Sequence, residues 1–225
     1  MKPKRITQAE KQRVFIVDAQ PIVRHGIKQL INNEPDLIAC GEASDGDRTS
    51  DRIHAARPDI VLLDVTFHKA DGLELIKQLR TVTPKLPVLV FAAHEESLYA
   101  ARALRAGAKG YLRKRAETAE LLEAIRCVLN GQVYLTETVR KNLLIACANG
   151  DHPRGSAVHK LSDRELEVFR LLGKGHSTRR IATEMHLSVS TIETYRANIK
   201  NKLDLDSPGE LLKHAIQWLH LESSA

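Results

Sequence analysis

Val14-Phe15-Ile16-Val17-Asp18 is a short apolar run closed by a carboxylate, and Ile60-Val61-Leu62-Leu63-Asp64 repeats the pattern. A strand that is apolar on both faces must be covered on both, which is the position of a strand inside a parallel sheet with helices above and below. Working outward, residues 37–41, 88–92 and 109–112 fit the same description as 14–18 and 60–64. Between these runs apolar residues recur at three- and four-residue spacing. The sets are Ile22, Val23, Ile27, Leu30 and Ile31; Leu73, Leu75, Ile76 and Leu79; and Leu121, Leu122, Ile125 and Leu129, each expected to be the core face of a helix. This alternation predicts an α/β domain, a doubly wound five-stranded parallel sheet of the flavodoxin-like kind. Ligands of such sheets gather at the carboxyl ends of the strands, where Asp18 and Asp64 stand and Lys114 follows the fifth run.

With 225 residues, 43% apolar and 28% charged, the chain has room for two ordinary domains. Residues 1–12 form a basic extension with no apolar core, and no later run approaches the roughly 18 to 20 apolar residues of a membrane span. A cytoplasmic protein with no membrane partner is expected. Cys40, Cys127 and Cys147 are far apart and odd in number, which predicts reduced core thiols rather than disulfides or a metal knuckle. A net charge of +6 favours a polyanionic partner.

The α/β pattern occupies residues 13–132. Residues 133–157 contain one helical pattern, about 136–149, and a hinge-like stretch at 150–156 rich in Gly, Pro and Ser. Residues 158–225 carry no strand signal, only four short helical patterns. Ser162 with Glu165 is a capping box opening 163–172; Gly173 and Gly175 stop that helix; Ser177 or Thr178 caps the second; Ser188 or Ser190 caps the third, to Leu203; Ser207-Pro208 opens the fourth, to Leu219. Two short helices around a tight turn at 186–190 make a helix-turn-helix, a small all-α domain whose second member enters the major groove of double-stranded DNA. On that helix Ile192, Ile199 and Leu203, edged by Tyr195 and Val189, form one apolar stripe. Ser190, Glu193, Thr194, Ala197 and Asn201 point away from it, with Thr191 beside them, while Arg179, Arg180, Arg196, Lys200 and Lys202 flank this face as phosphate contacts. The Thr194 methyl suits a thymine methyl, Asn201 an adenine edge and Glu193 a cytosine amino group; Glu193 is equally suited to pair with Arg196 or Lys200.

Leu161-Ser162-Asp163-Arg164-Glu165-Leu166-Glu167-Val168 and the run Ser190-Thr191-Ile192-Glu193-Thr194-Tyr195-Arg196-Ala197-Asn198-Ile199-Lys200-Asn201-Lys202-Leu203 resemble the output domain of the LuxR/NarL regulators. Asp18, Asp64-Val65-Thr66-Phe67-His68-Lys69-Ala70-Asp71-Gly72 and Ala106-Gly107-Ala108-Lys109-Gly110-Tyr111-Leu112-Arg113-Lys114 resemble a response-regulator receiver. Joined, they resemble a NarL/FixJ-type response regulator. The resemblance implies that Asp64 is the phosphoryl acceptor, and that Asp18, Asp64 and the Thr66 carbonyl surround a magnesium ion. It also implies that Lys114 neutralises the phosphoryl oxygens, Tyr111 is the aromatic switch, and Leu211, Leu212, Ala215, Ile216 and Leu219 lie on a last helix used for dimerisation. A sensor histidine kinase would then be a partner.

Three positions depart from the pattern. Ala19 stands where the family has a second acid, Ala92 where it has a Ser or Thr hydroxyl, and His68 where it has Pro. One unit charge at about 4 Å is worth about 4 kcal/mol at an effective dielectric near 20, before dehydration, so magnesium binding should weaken at least tenfold or be lost. Two readings stay open: a weakly phosphorylated receiver switched through Asp64, and a degenerate receiver serving as a phosphorylation-independent dimerisation module. The second is taken forward. Neither is an enzyme. An aspartate-nucleophile phosphohydrolase would need a general acid where Thr66 stands, and a nicotinamide oxidoreductase would need a G-x-G-x-x-G after the first run.

Overall fold

Five parallel strands form from the five apolar runs: β1 (Gln12–Val17), β2 (Leu37–Ala43), β3 (Ile60–Leu63), β4 (Val88–Ala92) and β5 (Gly110–Arg113). The computed structural model describes residues 11–44, 48–65, 72–92, 96–148 and 157–224. Thr66, His68 and the expected hinge at 150–156 lie outside them. The chain divides into two compact units, Met1–Arg140 and Lys141–Ala225.

In the first unit the strand order is β2-β1-β3-β4-β5, so the winding direction reverses between β1 and β3. At such a reversal the connections leave on opposite sides and open a crevice at the carboxyl edge. Successive side chains alternate between faces. Val14, Ile16, Leu62, Leu89, Phe91 and Leu112 pack with Ile27 and Ile31 of α1 (Pro21–Asn32) and Leu121, Ala124, Ile125 and Val128 of α5 (Thr118–Leu129). The opposite face is covered by α2 (Thr49–Ala56), α3 (Gly72–Val82) and α4 (Glu96–Ala106). Each fully buried side chain of this size contributes about 1.5–3 kcal/mol relative to exposure.

Two expectations need correction here. Ile22 is 77% exposed rather than on the core face of α1. It lies nine residues before Ile31, about two and a half helical turns, and so points the opposite way. Cys40 and Cys127 are free thiols but only half-buried, not core residues; the Cys147 side chain falls outside the description. Boundaries also move. β2 runs on to Ala43 because Glu42 and Ala43 pair with Ile16 and Val17 of β1. A further helix, α6, spans Glu137–Ala148.

Among its described residues the second unit has helices joined by short turns and no strand. A short 3-10 turn (Ala157–Lys160) precedes α7 (Asp163–Gly173), α8 (Thr178–Met185), α9 (Val189–Leu203) and α10 (Pro208–Ser224). α10 passes the expected end at Leu219 because no Gly or Pro interrupts it. Ser162, Ser177 and Ser188 cap α7, α8 and α9, each accepting from the backbone N–H three residues on. Ser162 and Glu165 complete both halves of the capping box. His186 closes α8 in the left-handed region at φ 53°, which lets α9 depart at once. Leu166, Phe169, Ile181, Ile192, Ile199, Leu211 and Ala215 form the core. Gly173 allows α7 and α10 to meet, since a Cβ there would lie 2.5 Å from the Ala215 carbonyl oxygen.

Candidate functional site

The parallel register brings the two aspartates together. Val17 pairs with Leu63, so Asp18 and Asp64 leave neighbouring strands side by side, and the Asp64 N–H donates to the Val17 carbonyl at 2.8 Å. The Lys114 N–H donates to the Ala92 carbonyl at 2.9 Å, which holds the lysine at the same edge. Lys114 Nζ then lies 2.5 Å from Asp18 Oδ2 and 2.6 Å from Asp64 Oδ2. Both acids are 2% exposed. Burial disfavours the ammonium, yet the Asp64 charge and the hydrogen bonds to both carboxylates outweigh it and raise the Lys114 pKa above its ordinary value. Two carboxylates and one ammonium leave a net charge of −1.

Much of the cluster's oxygen is already committed. Asp18 Oδ1 accepts the Gln20 N–H at 2.7 Å, and the Asp18 carbonyl accepts Arg24 Nη1 at 2.7 Å. Ala19 is half-buried and supplies a methyl group where a third carboxylate would be needed. Among the described residues no group of three or more His, Cys, Asp or Glu side chains could hold a metal ion. Magnesium requires near-ideal octahedral oxygen ligation; of the expected ligands, Asp18 and Asp64 both contact Lys114, and Thr66 lies outside the described residues.

Ala92 is 0% exposed, and so is Tyr111. Val90 pairs with Tyr111 and Ala92 with Arg113, which puts Tyr111, Val90 and Ala92 on the same face of the sheet. The Tyr111 ring is therefore turned fully inward beside a position that carries a methyl instead of a hydroxyl.

On α9 the expected outward residues Ser190, Glu193, Thr194, Ala197 and Asn201 are all exposed, and Ile192 and Ile199 are fully buried. Val189, at the edge of the stripe, is 45% exposed. Hydrogen bonds order the polar face: Ser188 Oγ lies 2.7 Å from Ser190 Oγ and 2.8 Å from Thr191 Oγ1, and Thr194 Oγ1 donates to the Ser190 carbonyl at 3.0 Å.

The cations sort into two groups. Arg179 is exposed, and among the described residues Lys200 Nζ donates only to the Asp206 carbonyl at 3.1 Å, so both keep charge for an external anion. Three others also serve the fold. Arg180 pairs with Glu184 at 3.1 Å; Arg196 Nη1 donates to Thr178 Oγ1 at 2.6 Å and to Glu193 at 3.1 Å; Lys202 Nζ lies 2.6 Å from Glu165 Oε2. Glu193 thus pairs with Arg196, one of its two expected partners. Glu165, 3% exposed, was expected only as a cap. It also ties the C-terminal part of α9 to the start of α7, and no spacing in the sequence announces that bond. Burial opposes its charge, but the Lys202 and Ser162 hydrogen bonds hold its carboxyl below the ordinary range.

The model for the response regulator receiver domain matches residues 14–126, and that for bacterial regulatory proteins of the luxR family matches 159–215. The chain is similar to the transcriptional activator protein ExaE of Pseudomonas putida, with 33% identity over 204 residues covering 91% of this chain and 95% of that one. It is also similar to the oxygen regulatory protein NreC of Staphylococcus aureus strain RF122 / ET3-1, with 31% identity over 215 residues covering 93% and 99%. Among solved structures, a LuxR-family two-component response regulator from an Aurantimonas species matches at TM-score 0.57 and 30% identity, covering 61% of this chain and 99% of that one. RcsB of Salmonella enterica serovar Typhimurium, bound to promoter rprA with the phosphomimetic BeF3−, shares the fold at TM-score 0.65 and 23% identity, covering 91% and 98%. No described helix is long and apolar enough to cross a membrane. The chain belongs to the NarL/FixJ family of two-component response regulators, transcription regulators rather than enzymes, in which a receiver precedes a LuxR-type DNA-binding output.

Proposed function

We propose that this chain regulates transcription as a homodimer on duplex DNA, and that its receiver holds its signalling conformation without a phosphoryl group. The observation that carries the reading is Tyr111, which is 0% exposed beside the buried methyl of Ala92. In the family pattern a hydroxyl at position 92 would bond a new phosphoryl oxygen and draw the aromatic ring inward. Here the hydroxyl is missing and the ring is already in. The Lys114 ammonium spans both aspartates, so the crevice needs no metal to hold its acids together. Magnesium binds weakly if at all.

The proposed output is two recognition helices set on half-sites about one DNA turn apart. Exposed Ser190, Glu193, Thr194, Ala197 and Asn201, with half-buried Thr191 beside them, would meet base edges, with Arg179, Arg180 and Lys200 on phosphates. RcsB, which shares the fold, is a DNA-bound regulator in its solved complexes, and one of them is described as two dimers on two parallel DNAs. Leu212 and Ile216 are 41% and 37% exposed on α10, four residues apart, and offer an apolar stripe for pairing.

A second reading is favoured by one specific feature: Asp64, Asp18 and Lys114 are all retained in contact. Under it a histidine kinase phosphorylates Asp64 weakly. The two separate when DNA binding by the wild-type chain and Asp64→Ala is compared with and without a small phosphodonor and magnesium. Equal binding in all four arms is expected. Donor-dependent binding that disappears in Asp64→Ala would overturn phosphorylation independence.

A further inference from the structure

The stripe of α9 set directly opposite its buried side carries no charge. Ile192, Ile199 and the half-buried Leu203 turn one side of the helix into the core of the second unit. At 3.6 residues per turn, Ser190, Thr194, Ala197 and Asn201 fall on the opposite side, and all four are exposed. Their side chains offer hydroxyls, methyls and one amide, with no cation or carboxylate among them.

The commonest specific contact in a major groove is an Arg or Lys bidentate to O6 and N7 of guanine. The cations of α9 are engaged away from this stripe. Arg196 Nη1 is held by Thr178 Oγ1 at 2.6 Å and Glu193 Oε1 at 3.1 Å. Lys200 Nζ turns to the Asp206 carbonyl at 3.1 Å, beyond the end of the helix, and Lys202 Nζ lies 2.6 Å from Glu165 Oε2. Arg179 and Arg180 belong to α8, the helix that crosses the phosphate backbone in this motif. The Arg196 bond also draws away the Glu193 carboxylate, the group that would accept from a cytosine amino group. The hydroxyls are spent locally as well: Thr194 Oγ1 donates to the Ser190 carbonyl at 3.0 Å, and Ser190 Oγ lies 2.7 Å from Ser188 Oγ. What Thr194 keeps for an outside molecule is its methyl, and Ala197 has nothing but a methyl. Cβ atoms three residues apart on a helix lie about 5–6 Å from each other, so these two side chains reach neighbouring base pairs, which rise by ~3.4 Å. Of the four bases only thymine presents a methyl in the major groove, and the Asn201 amide matches N6 and N7 of adenine.

We infer that this regulator reads its half-site as an A·T-rich element, with Thr194 and Ala197 packed against the methyls of thymines on neighbouring base pairs. The inference rests on the docking of α9 in the major groove proposed above. Thr194 and Ala197 set the sequence preference, and the cations supply affinity without reading bases.

The test lets full-length protein select from a pool of duplexes randomised over about 20 bp, enough for two half-sites one turn apart. Each selected half-site is expected to hold two neighbouring A·T pairs. Deoxyuridine in place of thymine at both pairs removes the methyls and keeps the pairing, and should weaken binding about tenfold, at roughly fourfold for each methyl. That arm needs no variant. Thr194→Val keeps a methyl and should still distinguish thymine from uracil at its pair, whereas Thr194→Ser and Ala197→Gly should each lose the distinction at one pair. Retained binding to unselected duplex shows that these variants fold. The inference is overturned by equal affinity for the thymine and uracil duplexes, by selected half-sites without neighbouring A·T pairs, or by a Thr194→Ser protein that still favours thymine at its pair. These results leave the groove docking standing. A wild-type chain that selects no sequence, with a salt slope unmoved by Lys200→Ala, overturns the docking and the inference together.

Discussion

The receiver cluster and the recognition helix hold charge in opposite ways. Asp18 and Asp64 are 2% exposed and closed over by one lysine, whereas Glu193, Thr194, Ala197 and Asn201 stand in solvent on a helix anchored from behind by Ile192 and Ile199. The first arrangement is complete in itself. The second has an outer face whose bonds among the described residues are short local ones. A site whose two acids are both held by one lysine can lose a ligand group, as at Ala19 and Ala92, and still keep its acids in contact. A face that acts only on an external molecule leaves no such internal trace, and its worth is measured only by binding.

The largest effect that could break this contrast is at Lys114. Lys114→Met leaves two buried carboxylates with no cation, and should destabilise the receiver by about 3–5 kcal/mol at neutral pH. Urea unfolding measures it. In the wild type the folded Lys114 pKa is raised, so its contribution is fully present below the ordinary value of 10.5 and is lost as pH rises through the folded value. An unchanged urea midpoint for Lys114→Met would mean the cluster is not self-contained.

Next in size is Glu165→Ala, which removes half of the capping box and the buried partner of Lys202. A loss of about 2 kcal/mol is expected in the output unit, from a charge-assisted hydrogen bond and a cap. The folded Glu165 pKa is lowered, so its contribution is present above the ordinary 4.5 and is lost as pH falls through the folded value. Lys202→Met should cost less in stability than Glu165→Ala, unless Lys202 does more than anchor α9.

Much of this contrast is legible before any coordinates. The carboxylates ending β1 and β3 follow from two apolar runs, and the stripe on α9 follows from Ile192 and Ile199. Local rules reach that far because strand alternation, helix period and caps act within a few residues. They fail where a fact depends on distant pairing. The Lys202–Glu165 bond spans 37 residues, so Lys202 looked like one more phosphate contact. Arg196 and Thr178, 18 residues apart, were hidden for the same reason. Ile22 misled differently: an apolar residue in the first turn of α1 is counted with its neighbours although its angle sets it opposite Ile31. The inward Tyr111 ring also needed coordinates, since the sequence states only that an aromatic residue stands in β5.

A sharper test of the receiver restores what is missing. Ala19→Asp should raise magnesium affinity at least tenfold, about 1.4 kcal/mol, because it adds a hard oxygen ligand where a methyl now stands. Isothermal titration of the wild type and the variant would measure it. Equal affinity would show that position 19 lies outside the metal's reach.

The smallest expected effect tests the recognition helix. Lys200→Ala should weaken binding to every duplex alike, by about 1 kcal/mol, and reduce the slope of log K against log salt by about 0.9 for the one phosphate lost. Thr194→Ala or Asn201→Ala should instead change sequence preference and leave the salt slope intact, because on the proposed docking they face base edges and they carry no charge. Lys202→Ala provides the internal control. Its ammonium is 2.6 Å from Glu165, so a salt slope as large as that lost with Lys200→Ala would mean that this bond breaks when DNA arrives. If neither lysine changes the slope, α9 is not the element that meets the phosphate backbone, and the open face described here has another use.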